Sequence, residues 1–283
     1  MFRSLASAVG KGIDALRGES SRKVTADIGS SSSSSSSSIS DETRGGARAI
    51  VKSYGRGQRT GSDAFRGAKG EVLAAVKSTG WALQDASAEF RADKEVVLAA
   101  VKNNGVVLQY ASEKLRADKE VVLEALRESG YALEYASADL RDNKEVVLAA
   151  VEKDGDALQY ASEKLRDDVE VVLAAVKESG YALRYASEKP RADKGVVLAA
   201  VKKDGDALAY ASEKLMDDVE VVLAAVKEHG FALQHASGQL RNDKGVVLAA
   251  VERHGYALQH ASGQLRNDNG VVLAAVKLSL IHI

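Results

Sequence analysis

The chain has 283 residues, 45% hydrophobic and 28% charged, with 24 glycines, one proline, one tryptophan and no cysteine. The lack of cysteine excludes a disulfide framework, a zinc knuckle and a thiol nucleophile, so the fold rests on core burial. The net charge of -1 hides an asymmetry: residues 1–60 carry ten Lys or Arg against five Asp or Glu, and the remainder 29 against 35. A basic leader on a mildly acidic body argues against nucleic acid as the body's partner, because a nucleic-acid reader concentrates positive charge on its folded domain.

The chain opens with Phe2, Leu5, Val9, Ile13 and Leu16 at steps of three or four, with Arg3, Lys11 and Arg17 off that stripe. Residues 1–19 therefore form an amphipathic leader if helical, which leaves a cytoplasmic or an organelle-targeted location open. Nine consecutive serines at 30–38, followed by a Gly- and Arg-rich stretch, make 20–60 a disordered linker. The longest apolar run is Val-Val-Leu-Ala-Ala-Val, far short of the roughly 20 residues of a membrane span.

From residue 61 the sequence repeats. Glycine recurs every 25 residues at Gly80, Gly105, Gly130, Gly155, Gly180, Gly205, Gly230 and Gly255. Ser87 begins an equally regular series ending at Ser262, and Leu73 one ending at Leu273. Such a period means a tandem array. Within a copy, Asp93 is an N-cap and helix A spans about 94–103, with Val97, Leu98 and Val101 on one face beside small Ala100. Gly105 suits the left-handed position that ends a helix. Helix B follows over about 106–115, with Val107, Leu108, Ala111 and Leu115 on one stripe. Two short helices with one apolar face each need stacked neighbours to bury it, so residues 61–277 are predicted to form an all-α solenoid of 25-residue helical hairpins, preceded by the disordered N-terminal segment. The array begins with a half repeat at Ser62-Asp63-Ala64-Phe65-Arg66, which matches the later Ser-x-x-Leu-Arg. Residues 278–283 break the period where a glycine is due at Leu280, and read as a non-native tail.

The unit Asp-Lys-Glu-Val-Val-Leu-Ala-Ala-Val-Lys at 93–102, then Gly-Tyr-Ala-Leu-Gln-Tyr-Ala-Ser-Glu-Lys-Leu-Arg, met most nearly at 130–141, 180–191 and 255–266, resembles the tandem repeat called domain of unknown function 4116. The resemblance covers about 61–277 and implies a helical repeat. It brings no activity and no functional residue. Pro190, in the slot of Leu165 and Leu215, and Gly195, Gly245 and Gly270, in the slot of Glu95, depart from the pattern; each glycine in a helical turn costs up to about 1 kcal/mol, so the C-terminal half is expected to be looser.

One repeat position carries a ring ladder: Tyr110, Tyr135, Tyr160, Tyr185, Tyr210, His235 and His260, begun by Asp85. At 100° per residue it points about 120° from the buried stripe, so these side chains should be half exposed, and they are the candidate binding face. Packing of each ring on the next repeat is the competing account. The preceding position varies (Gln84, Gln109, Glu134, Gln159, Arg184, Ala209, Gln234, Gln259), a pattern known from repeats that read single-stranded RNA. His229, His235, His254 and His260 form two pairs 25 apart; a repeat spacing near about 10 Å keeps equivalent histidines from sharing one ion, so no metal and no cofactor is expected. The Ser87 type lacks a paired base, and its hydroxyl is expected to bond backbone at a turn. With no catalytic constellation, the chain reads as a non-enzymatic scaffold binding a protein or peptide along helix A or helix B, with an accessory repeat region of a longer enzyme or effector as the alternative and single-stranded RNA binding as a further one.

Overall fold

A computed structural model describes residues 62–281. The leader at 1–19, the linker at 20–60 and the last two residues of the tail lie outside the described residues. What is described is all-helical, with no strand, and repeats every 25 residues. A typical unit has a long α-helix, a six-residue 3-10 helix that opens on the recurring glycine, and a four-residue α-turn, replaced at Leu240–Asn242 by a three-residue 3-10 turn. For the second unit these are Lys94–Val101, Gly105–Tyr110 and Glu113–Arg116. Long helices stack on long helices and 3-10 helices on 3-10 helices. The result is an α-solenoid in which every unit completes its core with its neighbours.

The long helix starts where the sequence says it should. Asp93 Oδ1 accepts from the amides of Glu95 and Val96, and Asp118, Asp168 and Asp218 repeat the bond to the amides two and three residues on. The first unit shows what the cap does. Ala68 stands in the aspartate slot, and there the short turn and the long helix fuse into one 17-residue helix, Ser62–Ser78.

Helix B is not one α-helix. Its first half is the 3-10 segment, and Ala111 and Ser112 then adopt extended backbone (ψ 155° and 154°) before the short turn. The cause lies in the preceding unit. Ser112 N donates to the carbonyl of Arg91 at 2.8 Å, and the same bond recurs at each unit boundary from Ser137 to Ser262, at 2.8 to 2.9 Å. An amide committed to the neighbouring unit is lost to its own helix. The expected stripe survives, since Val107, Leu108, Ala111 and Leu115 are all buried. In the long helix the fully buried set is Val96, Val97, Ala100 and Val101; Leu98, expected among them, lies partly exposed at the edge of the groove to the next helix.

The recurring glycine has a different reason from the one expected. None of the recurring glycines from Gly80 to Gly230 has a left-handed φ. Instead the glycine backbone lies against the next unit's long helix: a Cβ at Gly105 would sit 2.2 Å from the carbonyl oxygen of Ala125, and at Gly155 2.4 Å from that of Ala175. Seven units repeat this approach at 2.2 to 2.7 Å. Only a residue without Cβ allows the units to close on each other.

The departures are accommodated. Pro190 is buried in its short turn, where its missing N–H would have bonded Ser187; the next amide, Arg191, reaches the Ser187 carbonyl at 3.4 Å, against 3.0 Å for Arg116 to Ser112. Elsewhere the serine hydroxyl caps the turn, as Ser137, Ser162 and Ser262 do for Leu140, Leu165 and Leu265. At Ser87, Ser112 and Ser212 it is buried without a partner. Along the helix starts, Lys94 bridges Asp118 at 2.7 Å and Glu120 at 2.8 Å of the next unit, and Lys144 and Lys194 do likewise. Where valine replaces this lysine, at Val169 and Val219, glycine replaces the facing glutamate, at Gly195 and Gly245. The correlation ends at Gly270, which faces a retained lysine, Lys244, paired with Asp268 at 2.9 Å. The last long helix, Asn269–Ile281, runs on through the point where its predecessors turn.

Candidate functional site

The ladder residues sit at the end of each 3-10 helix. Tyr110, Tyr135, Tyr160, Tyr185 and Tyr210 are half-buried and pack on the core, and His235 and His260 are buried to a similar degree. Burial pushes the Tyr160 hydroxyl up to about 12, with Glu134 of the preceding unit adding to it. The ladder is thus partly packing, and its outer edges form a surface.

A second row of rings, not singled out from the sequence, completes that surface. The residue after the recurring glycine is Trp81, Tyr131, Tyr181 or Phe231 in alternate units, and each meets the ladder ring of the next unit edge to face. Ring centroids are 6.0 Å apart for Trp81 and Tyr110, 6.3 Å for Tyr131 and Tyr160, 6.4 Å for Tyr181 and Tyr210, and 6.0 Å for Phe231 and His260. In the intervening units this slot holds Val106, Asp156 and Asp206, and the alternation ends at Tyr256. The backbone period is 25 residues, and the chemical period of this face is 50. The signal was in the sequence as an aromatic after every second glycine. A period of 25 averages it away.

Charge is distributed unevenly along the face. Burial raises the Tyr131 hydroxyl, and the carboxylates of Asp156 and Asp154 raise it further; Asp204 and Asp206 stand in the same relation to Tyr181. Arg184 lies over the ring of Tyr185, its guanidinium carbon 4.4 Å from the ring centre, and it donates to the Tyr185 hydroxyl. The variable position before the ladder is in part occupied locally: Gln109 and Gln159 donate to the carbonyls of Val106 and Asp156 within their own 3-10 helices.

The histidines differ from expectation. His229 and His254 come together, with ring centroids 5.2 Å apart, because both lean over the unit boundary where Phe231 packs. Their Nδ1 atoms are engaged: His229 pairs with Asp206 at 2.7 Å, and His254 accepts from the Gly230 amide at 3.0 Å. Among the described residues no three His, Cys, Asp or Glu side chains are placed to hold a metal ion. No described helix is long and apolar enough to cross a membrane. On the opposite side, the long helices leave shallow grooves, one of about 440 Å³ lined by Leu73, Leu98 and Ala99 between Lys77 and Lys102.

Comparison with known proteins agrees with the 50-residue chemistry. No curated protein and no solved structure matches the chain. The family described as Domain of unknown function (DUF4116) matches at residues 72–116, 93–141, 143–191, 193–241 and 243–281, the last four beginning at steps of 50. Each of the three matches from 93 to 241 thus takes in two structural units, first one with a ring-free slot after its glycine (Val106, Asp156, Asp206) and then one with a ring there (Tyr131, Tyr181, Phe231). With matches running from 72 to 281, this chain belongs to the DUF4116 family as a tandem array of its helical repeat.

Proposed function

We propose that the array is a non-catalytic scaffold that binds a protein or peptide along the ring face of its 3-10 helices. The observation that carries this reading is the double row of rings. The inner row is held half-buried by the core, and the outer row leaves Tyr131 and Tyr181 each 38% exposed and Tyr256 65% exposed on the same side. Preorganised tyrosines offer large contact area at small entropic cost, which is why such rings recur as interface hot spots. The acidic residues interleaved with them argue against RNA as the ligand of this face.

The two rows allow binding to be separated from folding. Replacing Tyr131 and Tyr181 with Ala removes exposed ring area and should reduce partner capture by well over tenfold, since interface aromatics often contribute about 2 kcal/mol or more each. The urea midpoint should fall by less than in the inner-row variant, because these rings are the more exposed of the two rows. Replacing Tyr135, Tyr160 and Tyr185 should lower both. The proposal fails if the Tyr131 and Tyr181 variant captures the same partner from source cells as fully as the parent chain.

A further inference from the structure

We infer that the ring face selects a cationic, extended peptide segment, gripping two Lys or Arg side chains at two acidic aromatic sites two units apart. This inference rests on the scaffold reading above and names the chemistry of its partner. One site is the Tyr131 and Tyr160 ring pair with Asp154 and Asp156. The other is the Tyr181 and Tyr210 pair with Asp204 and Asp206.

Among the described residues four such ring pairs line the face, and of these only the two named carry carboxylates in the neighbouring slots. The Trp81 and Tyr110 pair has Asn104 and Val106 there, and the Phe231 and His260 pair has His254 and Tyr256. A ring face attracts a cation through its quadrupole, and a nearby carboxylate adds direct attraction, so the combination favours ammonium or guanidinium groups over neutral ones. The carboxylates of the first site keep acceptor capacity. Asp154 receives the Gly130 amide at 2.6 Å on one oxygen, and Asp156 receives the Ser179 hydroxyl at 3.2 Å on one oxygen. Asp206 meets His229 through one oxygen, a bond that a neutral imidazole can donate, and its other oxygen is buried, so its charge acts on a docked cation through space rather than by a direct bond.

The chain itself demonstrates the chemistry. Arg184 stacks on the Tyr185 ring at 4.4 Å and lies within the electrostatic reach of Asp156, Tyr131 and Tyr210. A guanidinium on this surface thus stacks on a ladder ring, with the Asp156 carboxylate near enough to add longer-range attraction. Two units along, the equivalent of Arg184 is Gln234, so no internal cation flanks the second site in this way. Arg184 acts as a built-in competitor at the first. With packed helices spaced about 8–10 Å, sites two units apart lie about 16–20 Å from each other, which an extended chain spans in about six residues.

The test uses three labelled Gly/Ser peptides with two Arg, two Gln or two Glu about six residues apart, titrated into the 283-residue chain at about 50 mM salt by fluorescence anisotropy. The Arg peptide should bind about tenfold tighter than the Gln peptide, and the Glu peptide more weakly still. Asp156→Asn with Asp206→Asn should remove that tenfold preference with helicity kept, and Arg184→Gln should tighten binding of the Arg peptide. Equal binding of the Arg and Gln peptides overturns the inference, as does an Arg preference that survives the double Asn variant. If the Gln peptide binds and Tyr131→Ala with Tyr181→Ala abolishes it, the ring face stands as a binding surface without charge selection. Binding of none of the three peptides overturns the inference, and only an unaffected natural partner in the tyrosine variants removes the scaffold reading as well.

Discussion

Gly155 decides what the recurring glycine is for. Substituting alanine places a Cβ 2.4 Å from the Ala175 carbonyl oxygen and 2.9 Å from the Ser179 amide nitrogen. Ordinary contact begins near about 3.4 Å, so the neighbouring long helix must retreat by roughly 1 Å, an overpacking cost of about 1–3 kcal/mol. The same carbonyl accepts the amide of Ser179 at 3.0 Å and so ends its helix; weakening that bond adds about 1 kcal/mol. The sum is about 2–4 kcal/mol for a single methyl group. A left-handed cap, by contrast, tolerates asparagine and loses only about 1 kcal/mol on replacement by alanine. Urea unfolding of the 283-residue chain, followed by circular dichroism, separates the two accounts through Gly155→Ala, Gly155→Asn and Gly245→Ala. Both substitutions at Gly155 should lower the midpoint steeply, Asn at least as much as Ala. Gly245→Ala should leave it equal or higher, since a Cβ there meets only the Asp243 carboxylate at 3.2 Å and removes a glycine from a helical turn. A normal midpoint for Gly155→Asn would refute the close-approach argument.

Stability should also fall below neutral pH. Burial lowers the pKa of His235, His254 and His260, assisted at His254 by His229 and Arg253 and at His260 by His235 and Arg241, with Asp206 opposing at the first two. The unfolded chain then takes up protons first as the pH drops through about 6.5, so the stability is present above that value and is lost below it. Replacing His235 and His260 with the tyrosine of earlier units should flatten the decline between pH 7.5 and 5.5 in urea titrations, and an unchanged slope would count against it. Restoring the missing ion pair with Val219→Lys and Gly245→Glu should give a favourable coupling in a double-mutant cycle at low salt that vanishes at high salt. Strict additivity at low salt would show that the two positions do not face each other.

Much of this architecture is written in the chain by local rules. A 25-residue period, an aspartate that caps, Val-Val-Leu-Ala-Ala-Val with helical spacing and a serine before a turn each act within a few residues. They were sufficient for the all-helical array, for the start of every long helix after Ala68 and for the half-exposure of the tyrosine ladder. What happens between units belongs to the tertiary structure. Helix B breaks at Ala111 because the Ser112 amide bonds Arg91 of the preceding unit, which no local propensity encodes. The glycine is selected by a carbonyl 20 residues further on, Ala125 for Gly105, and Leu98 yields its place in the core to Val96 because the neighbouring helix sets which side is covered. His229 and His254 meet at 5.2 Å although the repeat spacing places them apart, since side chains lean across a boundary that backbone spacing alone does not describe. The pairing of Tyr131 with Tyr160, 29 residues on, is a contact between successive units. A single repeat holds both residue types but only the stacked array brings them together, because the partner of each ring is supplied by the next copy.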